Sequence, residues 1–192
     1  MNLFKSKVGL KENVEYQLKD SKGNIKPVFQ SNRVYSWLMK KGLASRNLTS
    51  SLFGHFADSM VVSNLITTVG VAGIAARING SGSPDAYTYI GLGTGATGAA
   101  DGDTEIETEI TTSGGARAAA SVSVVTTDTA GDTAQLQLTF NFTTGGTFAV
   151  TESGVLNASS AGTLLARQVF SAINVASGDS LQVTWKFDVD TA

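Results

Sequence analysis

No cysteine occurs among the 192 residues, and histidine occurs once, at His55. The first absence removes disulfides, thiolate metal ligands and a cysteine nucleophile, and leaves the redox compartment open. The second rules out a multi-histidine metal site within one chain, or a second histidine for a proton relay. A Gly-x-Ser-x-Gly elbow is also missing, so a serine hydrolase lacks its nucleophile. The basic start Met1-Asn2-Leu3-Phe4-Lys5-Ser6-Lys7 is followed by no apolar stretch of the kind a secretory signal needs. The Asn-x-Ser/Thr matches at Asn47, Asn79, Asn141 and Asn157 are therefore expected to be idle. Nothing calls for a cofactor, and an enzyme is not expected.

What is present suffices for a core. Hydrophobic residues make up 42% of the chain and mean hydropathy is +0.06, which suits one globular domain with an appendage. The net charge of −2 conceals a division: up to residue 80 there are 11 Lys/Arg against 4 Asp/Glu, or +7, and beyond it 3 against 12, or −9. A chain so divided is expected to dock its basic front on nucleic acid, another protein, or the acidic half of a neighbouring copy, unless that front is only a solvated surface.

Three regions follow. Residues 1–58 read as a basic N-terminal arm. Within it Val14 to Leu18 and Ile25 to Phe29 form two extended runs about an Asp20 to Asn24 turn, a hairpin pattern. Val34, Trp37, Leu38 and Lys41 then fall at helical spacing, with Asn32 as cap and Gly42 as stop. The arm's large apolar residues show no periodicity long enough to enclose a core, so they are expected to bury against something else. Residues 59–83 read as an amphipathic helix and linker, the helix running from 59 to 80 with Asn79-Gly80 as its left-handed end. Gly70 and Gly73 each cost about 1 kcal/mol in a helix interior, so close packing on a sheet is expected to offset them. Ser63, Asn64, Thr67, Thr68 and Arg77 dilute the stretch too much for a membrane span.

Residues 84–192 carry antiparallel β patterning. Leu136, Leu138, Phe140 and Phe142 alternate with Gln137, Thr139 and Asn141, and Leu181, Val183, Trp185, Phe187 and Val189 alternate with Gln182, Thr184, Lys186 and Asp188. Shorter strands lie between, separated by turn residues. The expected fold is mainly β: an antiparallel β-sandwich of about seven or eight strands, with one packed helix and an extended N-terminal arm. Truncation before Leu181 should unfold it.

Gly93-Thr94-Gly95-Ala96-Thr97-Gly98 matches the dinucleotide spacing Gly-x-Gly-x-x-Gly. A phosphate cradle must turn directly into a helix whose free amides hold the anion. Here "EIETEI", residues 105–110, alternates as a strand would, and no Gly-Lys-Ser/Thr follows. The run is therefore read as a strand end and a pliable loop. Asp101, Asp103 and Glu105 lack EF-hand spacing, which makes a solvated or interface-forming acidic face the better account. No metal site is assigned. Glu105, Glu107 and Glu109 would form one acidic row, a counterpart for Lys5, Lys7, Lys11, Lys40 and Lys41; with Tyr35, Trp37 and Phe53 these are the candidate partner-interface residues. Tyr35 and Trp37 would permit base stacking, but the acidic C-terminal half argues against nucleic acid. His55 is expected to serve in packing. Glu152 and Arg167 both interrupt apolar strands and are expected to form a structural ion pair.

The run "YTYIGLGTGATGAADGDTEIETEIT", followed by "ARAAASVSVVTTDTAGDTAQLQLTFNFT" and "AVTESGVLNASSAGTLLARQVFSAINVASGDSLQVTWKF", resembles a family of tailed-bacteriophage virion proteins often encoded in prophages. With "VVSNLITTVGVAGIAARING" the similarity covers roughly residues 25–190. It implies a structural virion component assembled in the host cytoplasm. The leading expectation is a capsid decoration or cement protein on the major capsid protein, a homo-oligomer and most simply a trimer, with the arm bridging neighbours. The alternative is a tail, collar or fibre adaptor whose binding face meets another virion protein or a host glycan.

Overall fold

The structure, a computed structural model, describes residues 8–41, 43, 52–82, 85–143, 145 and 147–191; for 8, 9, 12, 33, 39, 40, 190 and 191 only the backbone is described. In chain order the elements are β1 (Val8–Lys19), β2 (Ile25–Lys26), β3 (Val28–Ser31), α1 (Arg33–Lys40), β4 (Gly54–Ala57), β5 (Met60–Val62), β6 (Leu65–Ile66) and α2 (Thr68–Asn79). There follow β7 (Tyr89–Gly93), β8 (Ala118–Ala119), β9 (Ser121–Val125), β10 (Thr133–Asn141), β11 (Phe148–Leu156), β12 (Leu164–Val175) and β13 (Ser180–Thr191). They form three antiparallel sheets: β2-β1-β13-β10-β9 with β5 also on β1, β6-β12-β11-β7-β8, and β3-β4.

The alternating faces of β10 and β13 are as the sequence implies through most of their length, but Val189, expected inside, is exposed, and Thr184 and Asp188, expected in water, are buried. Their partner is not as implied. β1 runs beside β13 for its whole length, from Val8 opposite Thr191 to Lys19 opposite Ser180, and buries Val14, Tyr16 and Leu18. Residues 8–26, expected to lie in an arm seeking a neighbour, thus complete the molecule's own first sheet, while β3 pairs with β4. The hairpin at Asp20 is present: its carboxylate accepts the amides of Lys22 and Asn24 at 2.8 and 2.9 Å, and β2 returns along β1. Across this sheet one row reads Val62, Val14, Trp185, Leu136, Val122. Val14, Trp185 and Leu136 enter one apolar cluster with Ile90, Leu92, Val150, Phe170 and Ile173 from the second sheet. Tyr16 reaches across, its ring 4.2 Å from that of Phe170 and its hydroxyl 2.5 Å from Ser153 Oγ.

β11 and β12 differ from the first sheet in being buried on both faces through Val150–Leu156 and Leu164–Ser171. Strands covered on both sides lose the in-out alternation and read as apolar runs, which is why "LLARQVF" shows none. On their far side lies α2. Thr67 Oγ1 accepts the Gly70 amide at 3.0 Å, capping the helix, while Thr67 also bonds Leu164 O and Leu165 O of β12. Gly70 sits so close to β12 that a Cβ would strike the Leu165 carbonyl oxygen, the close packing expected of this glycine. Gly80, at φ 73°, ends the helix in the left-handed conformation.

The helix is shorter than the expected 59–80. Met60–Val62 pairs with β1 and Leu65–Ile66 with β12. Branched Val61, Val62 and Ile66 favour these extended segments, and the Thr67 cap sets the start. Asn32 caps α1, its Oδ1 accepting the Tyr35 amide at 2.8 Å; Gly42, the expected stop, lies outside the described residues. Among the described residues no helix is long and apolar enough to cross a membrane.

Candidate functional site

The glycine-rich loop does cradle an anion, but the anion belongs to the protein. Glu152 on β11 is fully buried, and the chain from 94 to 108 folds over it. Glu152 Oε1 accepts the amides of Gly95 and Thr108, both at 2.8 Å, and Oε2 accepts the Glu107 amide at 3.1 Å. At Gly93 and at Gly95 a Cβ would run into this carboxylate. The glycines therefore allow the backbone to approach Glu152, as they would a phosphate.

Arg167, from β12, completes the cluster. Its Nε donates to Glu152 Oε2 at 2.8 Å, Nη1 to Asp103 Oδ2 at 2.8 Å, and Nη2 to Glu107 Oε2 at 3.1 Å and Thr97 O at 3.2 Å. Burial by itself would lower the guanidinium pKa; the hydrogen bonds it donates to Asp103 and Glu152 and the charge of Glu152 outweigh it, so the value is raised. Glu107 also accepts Thr97 Oγ1 at 2.6 Å and Thr97 N at 2.9 Å. The Thr97 side chain, against some burial, and then Arg167 hold its carboxyl below the usual range. The expected Glu152–Arg167 pair is present, as the centre of a larger knot.

A second knot closes the neighbouring loops. Arg117 grips Glu109 with two hydrogen bonds of 2.7 and 2.6 Å, and its Nη1 donates to Ala161 O at 2.8 Å and Ala158 O at 3.2 Å. Residues 105–110 are thus not a strand; only Gly93 and Glu109 form an isolated bridge. The acidic row does not exist as a row. Ile106 turns inward onto Leu156 and Leu164, Glu107 serves Arg167 while still exposed, Glu109 serves Arg117 half-buried, and Glu105 is exposed. Charges so engaged cannot act as a free acid and base pair.

The other candidate residues are scattered. Tyr35 is fully buried, stacked on Phe53 at 4.9 Å and edge-on to Phe29 at 6.3 Å, so it packs the β3–β4 corner rather than facing a partner. Trp37 is 55% exposed, beside an open groove formed by Gln30, Ser36, Val61 and Gln168. Lys11 lies on β1 opposite Asp188, and Lys41 is exposed after α1. Lys5, Lys7 and the Lys40 side chain fall outside the described residues. His55, expected in packing, is exposed on β4 opposite Gln30, because a short two-stranded sheet leaves one face uncovered.

Sequence reading missed the role of Arg117 and the Lys26–Asp179 pair at 2.6 Å. A signal existed for the first: the chain beyond residue 80 has only Arg117, Arg167 and Lys186 as cations, and both arginines hold carboxylates. Among the described residues no group of three or more His, Cys, Asp or Glu is arranged to hold a metal ion.

No curated protein and no solved structure matches the chain. A family profile described as podophage GP4 fiber I protein gp80 matches residues 75–186, more than half of the sequence. That span takes in the end of α2, the whole second sheet beyond β6, both ionic knots, and β13 to Lys186. By this match the chain, a bacteriophage virion structural protein, belongs to the podophage GP4 fiber I protein gp80 family.

Proposed function

We propose that the protein is a tail- or fibre-associated virion component, acting as a rigid module that joins other virion proteins. The observation that carries this is the family match over residues 75–186, whose description is of a fibre protein. It favours the tail over the head-shell decoration that the sequence first suggested. The geometry supports a module without chemistry of its own: the clustered charges are spent on each other, at Arg167 with Asp103, Glu107 and Glu152 and at Arg117 with Glu109. The two larger sheets share one apolar cluster, and we take them as the layers of a sandwich.

Binding faces in such a module lie on loops held by a stiff scaffold. The loop above Arg167 presents exposed Ala96, Thr97, Asp101, Gly102, Thr104 and Glu105, and it is the surface we assign to a virion partner or a host glycan. Quantitative mass spectrometry of purified particles, with tails separated from heads, tests the reading. Recovery with the tails at low copy number is expected. Recovery with tailless heads at the copy number of a shell protein would overturn it.

A further inference from the structure

One edge of the first sheet, β9, is unguarded. β9 pairs with β10 on one side, and among the described residues no strand pairs with the other. Exposed edges normally carry lysine, proline, a bulge or inward charge, which stop unwanted strand addition. From Ala118 to Thr127 the chain has no charge, no proline and no glycine. Val122 and Val124, at 58% and 71% exposure, stand in the open. Register places Val122 beside Leu136 and Val124 beside Ala134, so Val122 prolongs the row through Leu136 and Trp185 that builds the core. The core-facing side of the sheet therefore runs out past its own cover.

We infer that this edge is a joint between two copies of the chain, β9 of one pairing antiparallel with β9 of the other about a two-fold axis. A two-fold about Ser123 sets Val122 of one copy against Val124 of its partner, apolar against apolar on one face, and on the other sets Ser123 against Ser123 with Ser121 against Val125 on either side. A charged edge would repel its own copy; this one has nothing to repel. Length also selects the match. The short strands at the other edges of the two larger sheets, β2, β5, β6 and β8, span two, three, two and two residues, against five in β9, and the stretch of β1 that neither β2 nor β5 covers, 8–13, carries the charges of Lys11 and Glu12. Only another β9 offers a strand of equal length among them. The first sheet then continues through the joint, and the valines complete a small apolar seam. This goes beyond the tail reading and stands or falls wherever in the virion the protein sits.

Light scattering or sedimentation of the full chain is expected to show a dimer, or an even-numbered assembly of dimers. Val122→Lys with Val124→Lys is expected to give monomers with an unchanged circular dichroism spectrum, since both side chains are exposed. Because the chain has no cysteine, Ser123→Cys reports independently of any folding defect in the lysine variant. Opposed Cα atoms in an antiparallel pair lie about 4.5–5.5 Å apart, within disulfide reach, so mild oxidation should link two chains through it. Thr139→Cys, on the neighbouring strand β10, should not link. A wild-type monomer, a trimer, an assembly indifferent to the two lysines, or linking through Thr139→Cys as readily as through Ser123→Cys would each overturn the proposal.

Discussion

Arg167 and Glu152 meet at 2.8 Å from neighbouring strands, with side chains only 3% and 0% exposed. Removing one partner of such a pair leaves a charge that the interior cannot solvate, at a cost of about 3–5 kcal/mol. Arg167→Met is expected to destabilise by that order, read as a fall in the denaturant midpoint at constant slope. Glu152→Gln should cost less, because Arg167 retains Asp103 and Glu107. The reverse order would mean that the backbone amides around Glu152, rather than Arg167, dominate the site.

Acid should loosen the molecule in a defined direction. Thr97 and Arg167 hold Glu107 below its ordinary value of 4.5. The amides of Thr127, Thr129 and Asp128 lower Asp132 strongly, and the Asn24 side chain and amide, with Lys22, lower Asp20. Each folded carboxyl binds its proton later than the unfolded one. Their stabilisation is thus full above the ordinary carboxyl values and is lost as pH falls through the folded ones. Denaturant midpoints should be level near neutrality and fall below about pH 4.5. Asp132→Asn should flatten the most acidic part of that decline.

Gly70→Ala would ordinarily add about 1 kcal/mol of helix propensity. Here the new methyl strikes the Leu165 backbone, which cannot swing aside, and overpacking of about 1–3 kcal/mol should prevail. At Gly73 the obstacle is the Tyr87 hydroxyl, the end of a side chain, so Gly73→Ala should lie nearer neutral. Thermal melts of the two variants decide this.

The two tryptophans should separate in fluorescence. Trp185 is fully buried and Trp37 is 55% exposed. Trp37→Phe should leave blue-shifted emission resistant to acrylamide, and Trp185→Phe should leave red-shifted emission that acrylamide quenches. Quenching of native Trp37 that drops on assembly would place α1 at a contact.

Legibility in the sequence followed coverage. β10 and β13 have one wet face, and their alternation could be read directly; β11 and β12 are covered twice, and only their bounding turns gave them away. The arm misled because Val14, Tyr16 and Leu18 make sense only opposite Val183, Trp185 and Leu181, partners some 165 residues away, and no local pattern reports that. Residues 59–66 carried helical spacing, yet β-branched residues and two waiting strand edges drew them into sheets. "EIETEI" alternated correctly for a strand, but two arginines on distant segments claimed its glutamates singly and broke the alternation. Glu152 and Arg167 were visible for the opposite reason, since a charge inside an apolar run has few explanations.

The knot under the glycine-rich loop separates two jobs that many loops must combine. Shape is fixed from below, by Glu152, Arg167 and the amides of Gly95, Glu107 and Thr108, none of which the outward positions supply. Substitutions at Ala96, Ala100, Asp101, Gly102 and Thr104 can therefore accumulate without disturbing the scaffold, as can a change of sign at Glu105. On our proposal that this loop is the binding face, a virus would find there a patch open to variation, with the anchoring already secured.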